Sequence, residues 1–93
     1  MEISFDPVKR EKTLRERGLD FIDAPEVFAD TTVDQDDNRF DYGERRQVSV
    51  GYLRGRMVVI VWTLRGSVYH IISMRKANKR EQAEYKGRLG GPG

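Results

Sequence analysis

The sequence predicts an α+β fold in which N-terminal helices pack on an antiparallel sheet and a further helix follows. Helix punctuation frames the first part, where Asp6-Pro7 opens and Gly18 closes a polar segment. Three segments rich in β-branched and aromatic residues then run between Arg46 and Arg75, and Asn78-Lys79-Arg80-Glu81 has the spacing of a capping box. A chain of 93 residues holds one hydrophobic core, so one domain over residues 1–89 is expected, with the glycine-rich residues 90–93 as a disordered tail.

Asp6 is the expected cap of the first helix, and Pro7 suits the first helical position, where its missing N–H costs nothing. The helix is expected from Pro7 to Arg17, with Val8 and Leu14 as a thin apolar face. A second short helix is signalled by Ala24, Val27 and Phe28, with Asp23 as cap and Phe21 as a staple at its entry. A strand around Thr31 to Val33 leads into a polar loop reaching Glu44, the segment with the strongest mobile character. Strands follow over Arg46–Leu53, Met57–Leu64 and Val68–Arg75, joined by Arg54-Gly55 and Arg65-Gly66 as hairpin links. The middle strand is apolar on both parities and is therefore expected to be buried on both faces. The last helix is expected to end near Lys86, with Gly87 as its stop.

Charge is segregated along the chain. Residues 1–19 carry five Lys/Arg and four Asp/Glu, residues 20–44 carry one and nine, and residues 45–93 carry eleven and two. The basic half suits a phosphate-bearing partner, while the acidic block either repels such a partner or folds back on the basic half. With no cysteine and one histidine, the chain offers no disulfide, thiolate nucleophile or usual zinc site. The Asp34-to-Asn38 run imitates the opening of a calcium loop, but Arg39 and Arg45 stand where glycine and glutamate are required. No metal and no cofactor are expected. The N-terminus lacks a basic segment leading into an apolar one, and no apolar run approaches the roughly 18 residues of a membrane span, so a cytoplasmic protein without membrane contact is expected.

The basic groups concentrate where the last strand meets the last helix. Arg75 and Lys76 end the strand, Lys79 and Arg80 occupy the first helical turn, and Arg45 and Arg46 begin another strand. Cations at a helix N-terminus oppose its dipole, an arrangement that a bound phosphate offsets; neutralisation by Glu81, Glu84 or the acidic loop is the competing arrangement. His70 is the only side chain whose ordinary pKa lies near neutrality. Five residues of extended strand separate it from Arg75 by roughly 16 Å and put the two on opposite faces unless a bulge intervenes.

The chain resembles the BrnT-type toxins of bacterial type II toxin–antitoxin systems. The resemblance is carried by Phe5-Asp6-Pro7-x-Lys9, by Gly18-x-x-Phe21-x-x-Ala24-x-x-Val27-Phe28-x-Asp30, by Glu44-x-Arg46 with Gly51, and by Ile71-Ile72-Ser73-x-Arg75-x-Ala77-x-x-x-Glu81-x-x-x-Tyr85. It implies a fold similar to the RelE ribonuclease toxins and an RNA-cleaving activity that inhibits translation. It also implies a cognate BrnA-like antitoxin, which neutralises the toxin and makes the only DNA contact. The family often has histidine at the position of Arg17, asparagine at Thr13 and arginine at His70, so the chain departs from its relatives at three places.

The expected chemistry is metal-independent endoribonuclease action, in which the RNA 2′-hydroxyl attacks the neighbouring phosphate. Arg75 is the first candidate for the phosphate clamp and Arg46 the second, with Glu44 or His70 as proton acceptor. Lys9, Arg45, Lys76 and Lys79 are the candidates for binding the RNA backbone. The alternative is a basic module that binds an antitoxin or nucleic acid without catalysis.

Overall fold

The structure is a computed structural model that describes residues 1–90. A five-stranded mixed sheet forms the centre, in the spatial order β1-β5-β4-β3-β2. Its strands are β1 (Ile3–Phe5), β2 (Val33–Asp36), β3 (Gln47–Leu53), β4 (Arg56–Arg65) and β5 (Val68–Lys76), and the helices are α1 (Pro7–Arg17), α2 (Ala24–Phe28) and α3 (Lys79–Leu89). The meander β3-β4-β5 and the pairing of β2 with β3 are antiparallel, whereas β1 lies parallel to β5. The α+β class is as expected; the parallel edge strand is an addition, because three residues are too few to announce a strand.

β4 is the keel of the sheet. Val58 and Ile60 project into a core formed with Leu19, Phe21, Ala24, Val27, Leu53, Ile71 and Met74, beneath α2 and the 3-10 turn before it. Met57 and Val59 project the other way, against Val50, Ala77, Tyr85 and Leu89 beneath α3. Each such buried aliphatic side chain contributes about 1.5–3 kcal/mol, so β4 ties two otherwise separate layers together. The hairpin links behave as their glycines require. Arg54 and Gly55 both adopt positive φ, as a type I′ turn needs, whereas the second link is Gly66-Ser67 rather than Arg65-Gly66, because Arg65 still pairs with Val68, and Gly66 takes φ 64° at its first central position.

α1 departs from its expected amphipathic role. It has no buried residue, and Val8 and Leu14 are 74% and 42% exposed. Polar contacts hold it instead: Arg10 donates to both carboxylate oxygens of Asp20 at 2.8 and 2.9 Å, and Arg17 donates to the carbonyl of Met74 at 3.0 Å. The apolar anchor comes from the following segment, where Phe21 is wholly buried in the core rather than stapling a helix entry. Asp20 caps this segment by accepting from the Ile22 N–H, and Asp23, the expected cap, makes no capping bond.

β2 also lies later than expected, at Val33–Asp36. Its acidic residues are tolerated because β3 supplies donors. Ser49 donates to Asp34 at 2.6 Å and itself accepts from the Trp62 indole at 2.7 Å, while Arg45 and Gln47 both donate to Asp36. α3 runs through Gly87 to Leu89, which is buried, and closes on Gly90 in the left-handed conformation. The expected tail therefore loses Gly90 to the helix cap, and its remaining residues, 91–93, lie outside the described residues.

The start of α3 is fastened to β5. Asn78 accepts from the Glu81 N–H and Glu81 accepts from the Asn78 N–H, completing the capping box. The same Glu81 carboxylate receives two parallel bonds from Arg75 at 2.8 and 2.9 Å. These bonds, with the Asn78 N–H, hold the Glu81 pKa down to about 2.

Two predictions follow from this packing. A Cβ added at Gly51 would stand 2.8 Å from Val27 Cγ1 and 3.0 Å from Thr32 Cγ2. Gly51→Ala is expected to lower stability by about 1–3 kcal/mol, read from the denaturant midpoint. Glu81→Gln keeps the capping geometry and removes the charge pair. Because the folded-state pKa lies below the ordinary value of 4.5, the pair's contribution is complete above that value and is lost as pH falls towards 2. With Arg75 partly in solvent, wild type is expected to exceed Glu81→Gln by about 1–2 kcal/mol at neutral pH. The two proteins are expected to converge near pH 2 in denaturation curves.

Candidate active site

α3 covers only part of its face of the sheet. The remainder is an open groove of about 320 Å³, floored by Val48, Val59, Val61 and Ser73. Arg75 stands on the α3 side, and the segment from Gln35 to Arg39 forms the opposite bank. The floor is apolar while the banks carry charge, a combination suited to a ligand with both a flat ring and an anionic group.

A β-bulge determines what enters this groove. Val61 pairs with Ser73, but its neighbour Trp62 pairs with Ile71, so Ile72 is the extra residue on β5. Strand alternation changes phase there. Ile71 and Met74, three apart, both enter the α2-side core, and His70 and Arg75, five apart, consequently lie on the same face of the sheet, where Arg75 lines the groove and His70 lies beyond its lining. This reverses the expectation that strand geometry divides them, since the bulge supplies the one exception to strict alternation. His70 pairs with Thr63 and Arg75 with Val59, so their backbones lie four β4 residues apart, about 13 Å.

β1 contributes a residue that the strand pattern did not reveal. Ser4 pairs with His70, and its Oγ lies 2.8 Å from His70 Nδ1. The bond fixes the ring plane and leaves Nε2 for other partners. The His70 pKa is lowered, chiefly by burial and then by the positive charge of Arg65; Lys9 acts in the same direction, and Glu44 and Asp6 oppose it. The imidazole is thus neutral at pH 7. An apolar-polar-apolar triplet, Ile3-Ser4-Phe5, was the available signal.

Arg46 lies two strands from His70. Its guanidinium carbon sits 3.9 Å from the Tyr42 ring centroid, and its NH2 group is 3.4 Å from Glu44. Its Nε is buried without a hydrogen-bond partner, leaving one donor unengaged. Glu44 also faces Arg65 at 3.6 Å, so this carboxylate is shared between two cations.

The remaining candidates separate. Lys9 joins Lys12 in a smaller hollow between α1 and the bulge, lined also by Ile72 and Ser73; Ser73 is common to this hollow and the groove. Arg45 is paired with Asp36 at 3.1 Å and lines a neighbouring cavity with Glu44 and Trp62. Lys76 pairs with Val58 and continues the Met74 side of β5, opposite the groove. Lys79, exposed in the first turn of α3, lines neither groove nor hollow. Of the two arrangements open for this helix start, the structure shows neutralisation by Glu81, whose carboxylate accepts from Arg75 and from the Asn78 N–H.

Arg39 is the principal residue missed. Its Nε and NH2 groups donate to both oxygens of Asp37, each at 2.8 Å, and it lines the groove. As part of a failed calcium-loop match it carried no positive signal in the sequence. Asp37, whose side chain is 2% exposed, has a depressed pKa owing first to Arg39. Of the acidic block, Asp20, Asp23, Glu26, Asp36, Asp37 and Glu44 pair with arginines, while Asp30, Asp34 and Asp41 accept from N–H or hydroxyl groups.

Among the described residues, no helix is long and apolar enough to cross a membrane. No curated protein matches the chain. A family model described as the ribonuclease toxin, BrnT, of type II toxin–antitoxin systems matches residues 5–81, a span that runs from β1 to the Glu81 that holds Arg75. The chain belongs to the BrnT family of ribonuclease toxins.

Proposed function

We propose that the groove is the ribonuclease site and that the protein is a metal-independent endoribonuclease. The observation that carries this reading is the Ile72 bulge, which turns His70, Ser73 and Arg75 to one sheet face, with Ser73 and Arg75 lining the groove. The reacting phosphate lies over Val61 and Ser73, within reach of Arg75 from one end and of His70 and Arg46 from the other.

Neutral His70 takes the proton from the RNA 2′-hydroxyl through Nε2, with Ser4 holding the ring. The 2′-oxygen attacks phosphorus, the bond to the following nucleotide's 5′-oxygen breaks, that oxygen takes a proton from solvent and departs as a hydroxyl, and a 2′,3′-cyclic phosphate remains. Arg46 and Arg75 stabilise the charge that gathers on the phosphate oxygens, which is where preformed cations contribute most. Glu44 aligns Arg46, and its engagement with two arginines leaves His70 as the better proton acceptor. Lys9 attracts the RNA backbone from α1. Arg45 (bound to Asp36), Lys76 (on the opposite face of the sheet) and Lys79 (exposed on α3) contribute only a diffuse attraction.

As a type II toxin the protein has RNA as its target and an antitoxin as its partner. The matching motifs support a BrnA-like antitoxin as that partner, with DNA contacted only by the antitoxin, and a RelE-like arrangement acting in the cytoplasm to inhibit translation.

Purified protein incubated with RNA and a chelator is expected to yield cyclic phosphate ends; cleavage that disappears on chelation would refute the mechanism, and intact RNA would leave the groove as a binding surface. Arg75→Ala and His70→Gln are each expected to reduce cleavage about 100-fold or more. Because the His70 pKa is lowered, wild-type activity is expected to rise with pH through a value below 6.5 and then level off. The His70→Gln profile should lose that rise. Ser4→Ala should move the imidazole titration in a nitrogen NMR spectrum, where a single histidine gives an unambiguous signal.

A further inference from the structure

Arg39 and Arg75 face one another across the groove, and the positive charge of Arg39 is felt at Arg75. Each arginine is held by its own carboxylate, Asp37 for Arg39 and Glu81 for Arg75. Asp36 and Asp37 also line the groove, but both carboxylates are already engaged, Asp37 with Arg39 and Tyr42 and Asp36 with Arg45 and Gln47. Two like charges directed at one space repel, and an anion placed there relieves the repulsion. Arg39 uses Nε and NH2 for Asp37, so its NH1 donors remain available.

The position of Arg39 separates it from the histidine. Arg39 lines the groove together with Val59 and Arg75, and His70 is not among the residues that line it. Arg39 therefore belongs to the end of the groove remote from the base. A groove of this volume accepts a nucleotide rather than a double helix, and its valine floor suits the face of an unpaired base.

We propose that Arg39, aimed by Asp37, binds a phosphate of single-stranded RNA adjacent to the one that reacts, so that the acidic loop forms one wall of the substrate site. The proposal rests on the groove being the ribonuclease site. It gives the buried Asp37 a positioning role, for it holds a cation in place instead of meeting the RNA.

Binding can be measured with a 2′-O-methyl RNA oligonucleotide, which lacks the attacking hydroxyl and stays whole. Wild type, Arg39→Ala, Arg39→Lys and Asp37→Asn would be compared over a range of salt concentrations, with thermal melting to show that each variant is folded. Arg39→Ala is expected to bind about tenfold more weakly at low salt, as loss of a charged hydrogen bond predicts. Its logarithmic salt slope should be shallower by about 0.7, the value for one lost contact to a single strand. Arg39→Lys should retain the slope, and Asp37→Asn should weaken binding while also retaining it.

Cleavage assays locate the contact. Arg39→Ala should cleave a long RNA more slowly than wild type, yet match wild type on a dinucleotide that has only the reacting phosphate. An unchanged affinity and slope for Arg39→Ala would overturn the proposal, as would an equal loss on the dinucleotide. A wild-type protein that neither binds nor cleaves RNA would instead overturn the assignment of the groove, so the two failures are distinguishable.

Discussion

Burial of β4 on both faces is the constraint from which the rest of the molecule follows. A strand with apolar side chains in both directions needs a layer on each side, and here the segment carrying Phe21 and α2 supplies one and α3 the other. The layers are unequal. α3 has 11 residues, about 16 Å of helix, and seals only the portion of its face around Val59 and Met57. The uncovered portion, from Val48 across Val61 to Ser73, keeps the apolar floor of a core without its cover. The groove is thus a consequence of incomplete layering rather than a cavity carved into a finished core.

Much of this was legible in the sequence because the signals were local. Glycines at the hairpin links, the Asp6-Pro7 opening and the Asn78/Glu81 box each fix a neighbouring backbone, and the double parity of Met57 to Trp62 identifies the central strand without knowledge of its partners. The parts that escaped notice depend on distant residues. β1 has three residues and is recognisable only by its pairing with β5. The helical extent of α3 past Gly87 depends on burial of Leu89, and α1 stays in place through Arg10 and Arg17, whose partners are remote in sequence or belong to another strand.

The candidate site was legible in composition and not in arrangement. Arg75, Arg46, Glu44 and His70 could be named as chemically apt groups, but whether they meet is decided by the phase of β5. One supernumerary residue at Ile72 was invisible to periodicity, because the stretch Tyr69 to Met74 contains apolar side chains of both parities. Arg39 was hidden for a different reason. Its setting is dominated by acids, and only the folded chain reveals that Asp37 turns inward to hold it.

The bulge has a consequence for comparing this chain with its relatives. Strand parity is a two-valued property, and Ile72 inverts it, so residues before and after that point are in opposite phase relative to the sheet. A relative without the extra residue would present its groove chemistry one position away in sequence while keeping the same place in space. Columns aligned without a gap there would then equate a core residue with a groove residue, and a site constant in three dimensions would look variable on the page.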